Sequence, residues 1–334
     1  MSLSEFEIIR KYFKSAELAL KKEEILLGIG DDAAILDVSS DNQLVVSTDI
    51  LVESVHFPAT ATPSKIATRA LLVNLSDLAA MGAQPLCFTM ALVLNDSSES
   101  WLKSFSEGLA KIAQRYKIAL VGGDLSKGPT TIAIQVHGIA KPGKVLRRNA
   151  ANIGDLIYVT GTLGDGAISL ASLGVSPHVG DFFRFNDEQI PLDCVQYFEQ
   201  AFYEPKPRLD FAKQSAEYIN SAIDISDGLI GDLGHICKCS GVGAILKVED
   251  FPYSDSARCC VSAKNRLLAA LYGGDDYELC VTVTKKNQQQ FIAKANETNT
   301  KITCIGEIIE GNLIHYLNER GEKVRFDDKA FQHF

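Results

Sequence analysis

The chain has 334 residues, of which 46% are hydrophobic and 22% are charged, and its formal net charge is -9. These values are typical of a globular protein of about two domains and exclude a disordered or fibrous chain. The acidic balance argues against a general partner of nucleic acids or anionic membranes. Because the chain shows neither an apolar run of membrane-spanning length nor the basic and apolar regions of a signal peptide, we expect a cytoplasmic location.

Eight cysteines are present. Cys237-Lys-Cys239 and Cys259-Cys260 are spaced more closely than the usual ligands of a structural zinc, and no Cys-x-x-Cys occurs. We therefore predict reduced thiols rather than a disulfide framework.

The first 140 residues alternate between patterns typical of strands and of helices. Helix patterns cover 4–20, 63–81 and 99–116, the second opening at Thr62-Pro63 and closing at Met81-Gly82. Strand patterns cover 33–38, 44–48, a segment near 55–57, 86–94, 118–121 and 131–140. This order of strands and helices along the chain predicts an α+β sheet unit.

A segment rich in Gly, Pro and charged residues, 141–155, predicts a domain boundary near residue 150. The predicted fold class is therefore α/β (α+β) with an N-terminal domain, 1–150, and a C-terminal domain, 151–334. The expected strands of the second domain cover 156–160, 221–225, 244–248, 278–284 and 303–309. Helices are expected after the Gly-rich turn 161–166 and over 208–219, 227–239, 261–271 and 285–297, with an irregular excursion over 174–190.

Five aspartates stand out because most are placed where a strand is expected to end: Asp32, Asp49, Asp77, Asp124 and Asp227. Carboxylates without basic neighbours repel one another unless a cation lies among them. Hard oxygen ligands of this kind suit Mg²⁺, which proteins usually hold with a few carboxylates and substrate phosphates. Since the chain has no Walker A loop, any nucleotide is expected to be handled through metal.

Two of these aspartates could have a structural role instead of binding metal, and the support for the metal differs between them. Asp49 in Ser47-Thr48-Asp49 is either a ligand at the rim of the sheet or a cap for the next element, with about even support. Asp77 lies in an apolar helical stretch, too far from the helix start to cap it, so a metal partner is favoured there.

Other motifs are ambiguous on their own. Gly122-Gly123-Asp124 is a common turn, although paired glycines also let backbone approach a phosphate. Asp224-Ile-Ser226-Asp227-Gly228 predicts a strand-to-helix junction that either caps the helix or binds a metal–phosphate group. His56 alone is more often structural, and Arg147-Arg148 is either a solvated pair or a cation for phosphate.

The combination of motifs resembles the thiamine-monophosphate kinase family, within the superfamily of aminoimidazole ribonucleotide synthetase and selenophosphate synthetase. The resemblance covers nearly the whole chain. It rests on Gly28-Ile-Gly-Asp-Asp32, Ser47-Thr-Asp49 with His56-Phe57, Asn74-Leu-Ser-Asp77, Gly122-Gly-Asp124, Val159-Thr-Gly-Thr-Leu-Gly164, Ala222-Ile-Asp-Ile-Ser-Asp-Gly-Leu229 and Gly273-Gly-Asp-Asp-Tyr-Glu-Leu279.

The resemblance implies ATP-dependent phosphorylation of thiamine monophosphate to thiamine diphosphate, by direct phosphoryl transfer with several Mg²⁺ ions. Such a transfer needs alignment and charge neutralisation, which metal ions provide. It also implies a two-domain synthetase-like fold in a homodimer, in which the N-terminal mixed sheets of two subunits form a shared barrel. The N-terminal domain would bind Mg²⁺ and ATP, and the C-terminal domain would complete the nucleotide and substrate site.

The resemblance also assigns roles to individual positions. The implied Mg²⁺ ligands are Asp32, Ser47, Thr48, Asp49, Asp77, Asp124, Asp224 and Asp227. The implied ATP contacts are Gly123, Asp124, Arg148 and Ser226, and the implied substrate contacts are His56, Asp275 and Phe331. Asp49, Asp124 and Arg148 are expected to act in catalysis.

Two positions depart from the pattern of the family. Asp275 stands where relatives usually carry Glu, so its carboxylate is about one methylene shorter. Phe331 stands where a ring with a polar handle is often found, so stacking is kept and a hydrogen bond is lost.

Rival functions fit less well. Selenophosphate synthetase needs a reactive N-terminal Cys or selenocysteine, whereas the first cysteine here is Cys87, and the hydrogenase maturation relative ends in a reactive Cys, whereas this chain ends at Phe334. Aminoimidazole ribonucleotide synthetase matches the motifs at Asn74 and Asp224 less closely. A non-catalytic nucleotide sensor would have lost metal-binding carboxylates, and none is lost.

Overall fold

The computed structural model describes residues 4–173 and 190–324. The chain forms two compact units, one of residues 1–78 and 83–143 and one of residues 79–82 and 144–334. Both contain helices and sheets, which confirms the predicted mixed α/β, two-domain class. The barrel shared between two subunits stays a prediction.

The first helix of the chain is shorter than the predicted 4–20. Helix α1, Glu5–Ile8, continues as a π-helix over Ile9–Phe13 and then stops. Lys14 leaves the helical conformation, and the Ser15 carbonyl accepts hydrogen bonds from Leu18 and Ala19 in a turn. Because this turn still buries Leu18, the spacing of apolar residues imitated a longer helix.

The two long helices of the first unit agree with their predicted bounds to within a residue. Helix α2 covers Pro63–Ala80 and helix α3 covers Glu99–Tyr116. The Ser98 side chain caps α3 by accepting a hydrogen bond from the Trp101 amide, and the helix ends at Lys117 in the left-handed conformation. A regular stripe of buried residues on α3, including Phe105 and Leu109, faces the core.

The sheets of the first unit follow the predicted strands only in part. Strands β1, Ile25–Leu27, and β2, Ile35–Leu36, form a small antiparallel pair, so the strand predicted over 33–38 is much shorter. The main sheet has the order β3-β6-β4-β5, in which only β4 and β5 are parallel. These strands are β3 Gln43–Val52, β4 Gln84–Leu94, β5 Ala119–Lys127 and β6 Thr131–Ala140.

Three strand predictions near the polar motifs are wrong: two strands are longer than predicted, and one predicted strand is a turn. Asp49 and Asp124 do not end strands, because β3 pairs with β6 through Val52↔Thr131 and β5 pairs with β4 beyond Asp124↔Ala91. Backbone ladder bonds form regardless of side-chain polarity, so the polar triplets do not interrupt them. The segment 55–57 is a turn in which the His56 amide donates to the Val52 carbonyl.

The second unit contains a seven-stranded sheet of order β13-β12-β9-β11-β7-β10-β8, antiparallel except for β9 and β12. Its strands are β7 Leu156–Thr160, β8 Ile219–Asp224, β9 Gly243–Lys247, β10 Leu279–Val283, β11 Ile302–Ile309, β12 Ile314–Leu317 and β13 Lys323–Val324. Its helices are α4 Asp165–Leu173, α5 Leu192–Tyr203, α6 Leu209–Ser215, α7 Leu229–Ser240, α8 Asp255–Cys260, α9 Ala263–Tyr272 and α10 Gln288–Glu297.

The central strands of this sheet were predicted well because they are continuous apolar runs. Strand β10 is buried at every position, and Ile157, Ile223 and Leu233 belong to one core cluster with it. The predicted helix 208–219 stops at Ser215, and α5, α8, β12 and β13 were not predicted. Most of the excursion predicted over 174–190 lies outside the described residues. No described helix is long and apolar enough to cross a membrane.

Candidate functional site

One group of predicted residues lies between strand β3 and helix α2. Side chains of a strand alternate between its faces, and in β3 the less exposed face carries Ser47 and Asp49. Ser47 Oγ donates a hydrogen bond of 2.5 Å to Asp77 Oδ2 on α2. The structure thus brings Ser47, Asp49 and Asp77 to one side of the sheet, whereas Thr48 points to the opposite, exposed side.

Asn74 joins this strand to this helix. It is fully buried, and its Nδ2 donates to the Ala70 carbonyl at 2.8 Å. Its Oδ1 accepts a hydrogen bond of 3.1 Å from the Asp49 amide. A buried side-chain amide needs partners for both its NH₂ and its carbonyl group. These two bonds therefore hold the backbone of Asp49 next to Asn74 on helix α2. The motif contained Asn74, but sequence analysis gave it no role.

A second group lines a cavity of 520 Å³ within the first unit. Asp32, Gly123 and Asp124 all lie on its wall, together with apolar side chains such as Met90 and Leu92. A Cβ added at Gly123 would overlap the Met90 carbonyl, so only glycine fits there. The cavity therefore combines exposed carboxylates with backbone that a ligand can approach closely.

His56 is held by the turn that follows β3. Its Nδ1 accepts a hydrogen bond of 3.1 Å from the Val52 amide, while its own amide donates to the Val52 carbonyl at 2.8 Å. An Nδ1 that accepts carries no proton, so in the neutral ring the proton lies on Nε2. The turn thereby orients Nε2–H as a donor.

In the second unit, Asp232 organises the loop between β8 and α7. Its Oδ2 accepts hydrogen bonds from the amides of Ser226, at 3.0 Å, and Asp227, at 3.1 Å. Asp232 is 3% exposed, and this burial raises its pKa to about 7, against the amide bonds and the nearby charge of Arg148. Helix α7 has Gly228 as its N-cap residue, so Asp227 does not cap it.

Asp224, the last residue of β8, is buried, and Asp227 is exposed three residues later. The Arg148 carbonyl accepts a hydrogen bond of 3.0 Å from Ser240 Oγ at the end of α7. The exposed Arg148 side chain carries a charge close enough to lower the pKa of Asp232, the residue that accepts from the Ser226 and Asp227 amides. Asp224, Ser226, Asp227 and Arg148 therefore belong to one region of the second unit.

Asp275 occupies a strained loop beside that region. Its φ is +65°, and Tyr277 has φ +50°, a conformation that non-glycine residues rarely adopt. The Asp275 amide donates to the Ser226 carbonyl at 2.8 Å. Such outliers persist only where surrounding structure imposes them, and they concentrate at functional sites. The loop therefore connects Asp275 rigidly to Ser226.

Asp276 anchors the same loop from the other side. It accepts hydrogen bonds from the amides of Gly164, at 2.7 Å, and Gly166, at 2.9 Å. Deep burial raises its pKa well above the usual range, and those two amides act in the opposite direction. Asp276 is thus a positioning residue for Asp275.

A cavity of 130 Å³ adjoins Asp275, and its wall carries several carboxyl side chains together with the basic side chains of Lys206 and Arg208. Buried Asp165 on its wall accepts hydrogen bonds from Thr162, at 2.6 Å, and Tyr197, at 2.8 Å. Burial raises the pKa of Asp165. Glu278 is compensated by an ion pair with Arg208, whose Nε donates at 2.6 Å. The cavity therefore presents a polar wall to a ligand that forms hydrogen bonds.

Comparison with known proteins identifies the family. Residues 30–140 match the family description "AIR synthase related protein, N-terminal domain", and residues 152–317 match "AIR synthase related protein, C-terminal domain". The thiamine-monophosphate kinase of Escherichia coli (strain K12) is 40% identical over 337 residues, which cover 100% of this chain and 99% of that protein.

The chain belongs to the thiamine-monophosphate kinase family. This confirms the family predicted from the motifs.

Solved structures of the thiamine-monophosphate kinase family share the fold. The enzyme from Stenotrophomonas maltophilia K279a aligns with a TM-score of 0.83 at 37% identity, over 97% of this chain and 99% of that chain. AaThiL complexed with AMPPCP and TMP aligns with a TM-score of 0.74 at 29% identity, over 100% of this chain and 99% of that chain. The two-domain fold class is therefore that of thiamine-monophosphate kinases.

Three residues that hold backbone segments of the site in place were not predicted from the sequence: Asn74, Asp232 and Asp276. Asp276 lies within a family motif, but the role in substrate binding was assigned to its neighbour Asp275. Asp232 lies one helical turn after the Asp227 motif, and no local pattern marks a carboxylate that bonds backward to a loop. Phe331, predicted to contact substrate, lies outside the described residues.

Proposed function

We propose that the chain transfers the γ-phosphoryl group of ATP to thiamine monophosphate, forming thiamine diphosphate and ADP. The observation that carries this proposal is the identity of 40% with a thiamine-monophosphate kinase over the full length of this chain. The relative solved with AMPPCP and TMP supports both co-substrates, since it aligns over the whole chain.

The oxygen ligands on the chain fit Mg²⁺. Ser47 and Asp77 bring hydroxyl and carboxylate oxygens together at 2.5 Å, Asp49 shares their side of the sheet, and no sulfur or imidazole ligand lies in that group. By their motifs we assign Mg²⁺ to Asp32, Ser47, Thr48, Asp49, Asp77, Asp124, Asp224 and Asp227. The assignment of Thr48 rests on its motif alone, because its side chain points to the opposite face of β3 from Ser47 and Asp49. When bound, Mg²⁺ neutralises phosphate charge and aligns the transferred group.

The remaining residues would bind and orient the two phosphate-bearing molecules. Gly123 lies on the wall of the first cavity and would contact ATP through its backbone, and its packing against the Met90 carbonyl allows only glycine there. Arg148 and Ser226 would contact ATP, the arginine by pairing with phosphate oxygens. We assign Asp49, Asp124 and Arg148 to catalysis because charge and alignment dominate phosphoryl transfer.

On the substrate side, the bond from the Val52 amide to Nδ1 leaves Nε2–H as the donor of His56, which suits a phosphate oxygen. Asp275, fixed in its left-handed conformation, would accept a hydrogen bond from thiamine monophosphate. The adjacent cavity, whose wall carries more carboxyl than basic side chains, would lie next to the bound substrate. Phe331 is assigned to stacking on the substrate by its motif alone.

We also propose a homodimer formed through the outer face of β3. Leu44, Val46 and Ile50 on this edge strand are 45%, 48% and 53% exposed, and with Thr48 between the last two they form a largely apolar face. A cytoplasmic location is supported by the cysteines, since all eight are free thiols.

The test is ADP release by purified protein with ATP and Mg²⁺, comparing thiamine monophosphate with free thiamine. We expect ADP only with the monophosphate and none after chelation of divalent cations. Equal rates with both substrates would contradict the proposed acceptor, and undiminished activity after chelation would contradict the metal assignment.

A further inference from the structure

Three cysteines from two separate segments meet in the second unit. Cys194 lies in the first turn of α5, and Cys259 and Cys260 end α8. Their three Sγ atoms all lie within 4.8 Å of one another. Among the described residues, this is the group of His, Cys, Asp and Glu side chains found close enough to hold one metal ion. Adjacent cysteines looked too tightly spaced for zinc in sequence, but the fold supplies a ligand from 65 residues away.

The spacing of the sulfurs matches a thiolate-bound cation. With Zn–S bonds of about 2.3 Å, tetrahedral geometry separates two sulfurs by about 3.8 Å. Sulfurs already within 4.8 Å need to close by at most about 1 Å, which small χ1 rotations supply without backbone movement.

The surroundings also favour a bound ion over a disulfide. Cys194 and Cys260 are buried in an apolar cluster with Phe198, whereas Cys259 is exposed and leaves a route for an ion and for a fourth, solvent ligand. A disulfide would use only two of the three thiols and would leave the third without a partner in the cluster, whereas one ion uses all three.

We propose that Cys194, Cys259 and Cys260 form a site for one Zn²⁺ ion, held by three thiolates and one solvent molecule. Soft thiolate ligands select Zn²⁺ over Mg²⁺, so this site is chemically independent of the oxygen ligands assigned to the kinase reaction.

The ion would tie α5 to α8. Tyr197 on α5 and Ser254 at the start of α8 both donate hydrogen bonds to Asp165, at 2.8 and 2.6 Å. The site therefore clips together the two elements that supply partners to the buried carboxylate beside Asp275. Zn²⁺ binding should raise the unfolding temperature of the reduced protein, since a ligand that binds only the folded state stabilises it.

The test is titration of reduced, metal-free, full-length protein with Zn²⁺ against a chromophoric chelator, and with Cd²⁺ monitored by thiolate charge-transfer absorption. We expect one equivalent bound per chain in excess Mg²⁺, with release of protons, because thiols bind the ion as thiolates.

Cys259→Ser is the decisive variant because this exposed position tolerates serine without loss of packing. It should weaken binding by more than about tenfold, as loss of a direct ligand exceeds that of an outer partner. Cys239→Ser, at another exposed cysteine on α7, is the matched control and should bind like the parent. Absence of the charge-transfer band, or equal binding by both variants, would overturn the site. The readout is metal binding, so it does not depend on the proposed kinase activity.

Discussion

Gly166→Ala tests the view that the loop carrying Asp275 is held in place by backbone packing. Gly166 is the second residue of α4, and its amide donates to Asp276 at 2.9 Å. A Cβ added there would lie 2.9 Å from the Asp276 amide nitrogen and would overlap the Asp275 carbonyl. Both contacts are with backbone, so no side-chain rotation relieves them.

The structure gives the scale of the effect. Carbon atoms in ordinary contact lie about 3.5–4.0 Å apart, so the Asp275 segment must shift by roughly 1 Å. A displacement of about 1 Å in a positioned group costs on the order of 100-fold in rate. Overpacking of this kind also destabilises the fold by about 1–3 kcal/mol. We therefore expect kcat/KM for thiamine monophosphate to fall about 100-fold.

Steady-state kinetics with thiamine monophosphate as the varied substrate, together with urea unfolding, measure both effects. Gly234→Ala is the matched control, since nothing lies within 4 Å of the Cβ it adds to helix α7. It should leave kinetics unchanged and stabilise the protein by up to about 1 kcal/mol. Wild-type kinetics and stability in Gly166→Ala would refute the reasoning, because the loop would then move freely.

Three further substitutions probe other parts of the molecule. Asp49→Asn should abolish ADP release while leaving the unfolding temperature at or above the parent value, because it relieves repulsion among carboxylates; normal Mg²⁺-dependent turnover would count against its role. Arg208→Ala should lower the free energy of unfolding by about 3–5 kcal/mol, because it leaves the Glu278 carboxylate buried without its cation. Adding Glu278→Gln should restore part of this stability. Equal stability of the single and double variants would contradict the ion-pair argument. Asp276→Asn should cost about 1–3 kcal/mol in urea unfolding, since one of two loop amides then faces an NH₂ group, and an unchanged midpoint would show that those amides find other partners.

The parts of the fold that sequence predicted well are those set by local periodicity. Helix α3 agrees with its expected bounds because its cap, its buried stripe and its final turn are all local features. Strand β7 agrees because it is a short apolar run between turn residues. By contrast, β3 and β5 continue through Asp49 and Asp124, since the strands paired with them, distant in sequence, decide where a ladder ends.

The candidate site divides in the same way. Motifs identified residues whose polarity conflicts with their apolar neighbourhood, such as Asp77 in α2. They gave no information on the partners that hold those residues, because Asp232 and Asp276 act on backbone amides whose positions depend on tertiary structure. The cysteine cluster shows the same limit, since Cys194 reaches Cys259 and Cys260 only through the packing of α5 on α8.

The most direct test of the proposed function follows the transferred phosphoryl group. Protein incubated with thiamine monophosphate, Mg²⁺ and ATP labelled in the γ-phosphate should yield labelled thiamine diphosphate and unlabelled ADP, resolved by chromatography. Direct transfer predicts that the label appears in the diphosphate and not as inorganic phosphate. Label found only as inorganic phosphate, or no thiamine diphosphate at all, would contradict the assignment of this chain as a kinase of thiamine monophosphate.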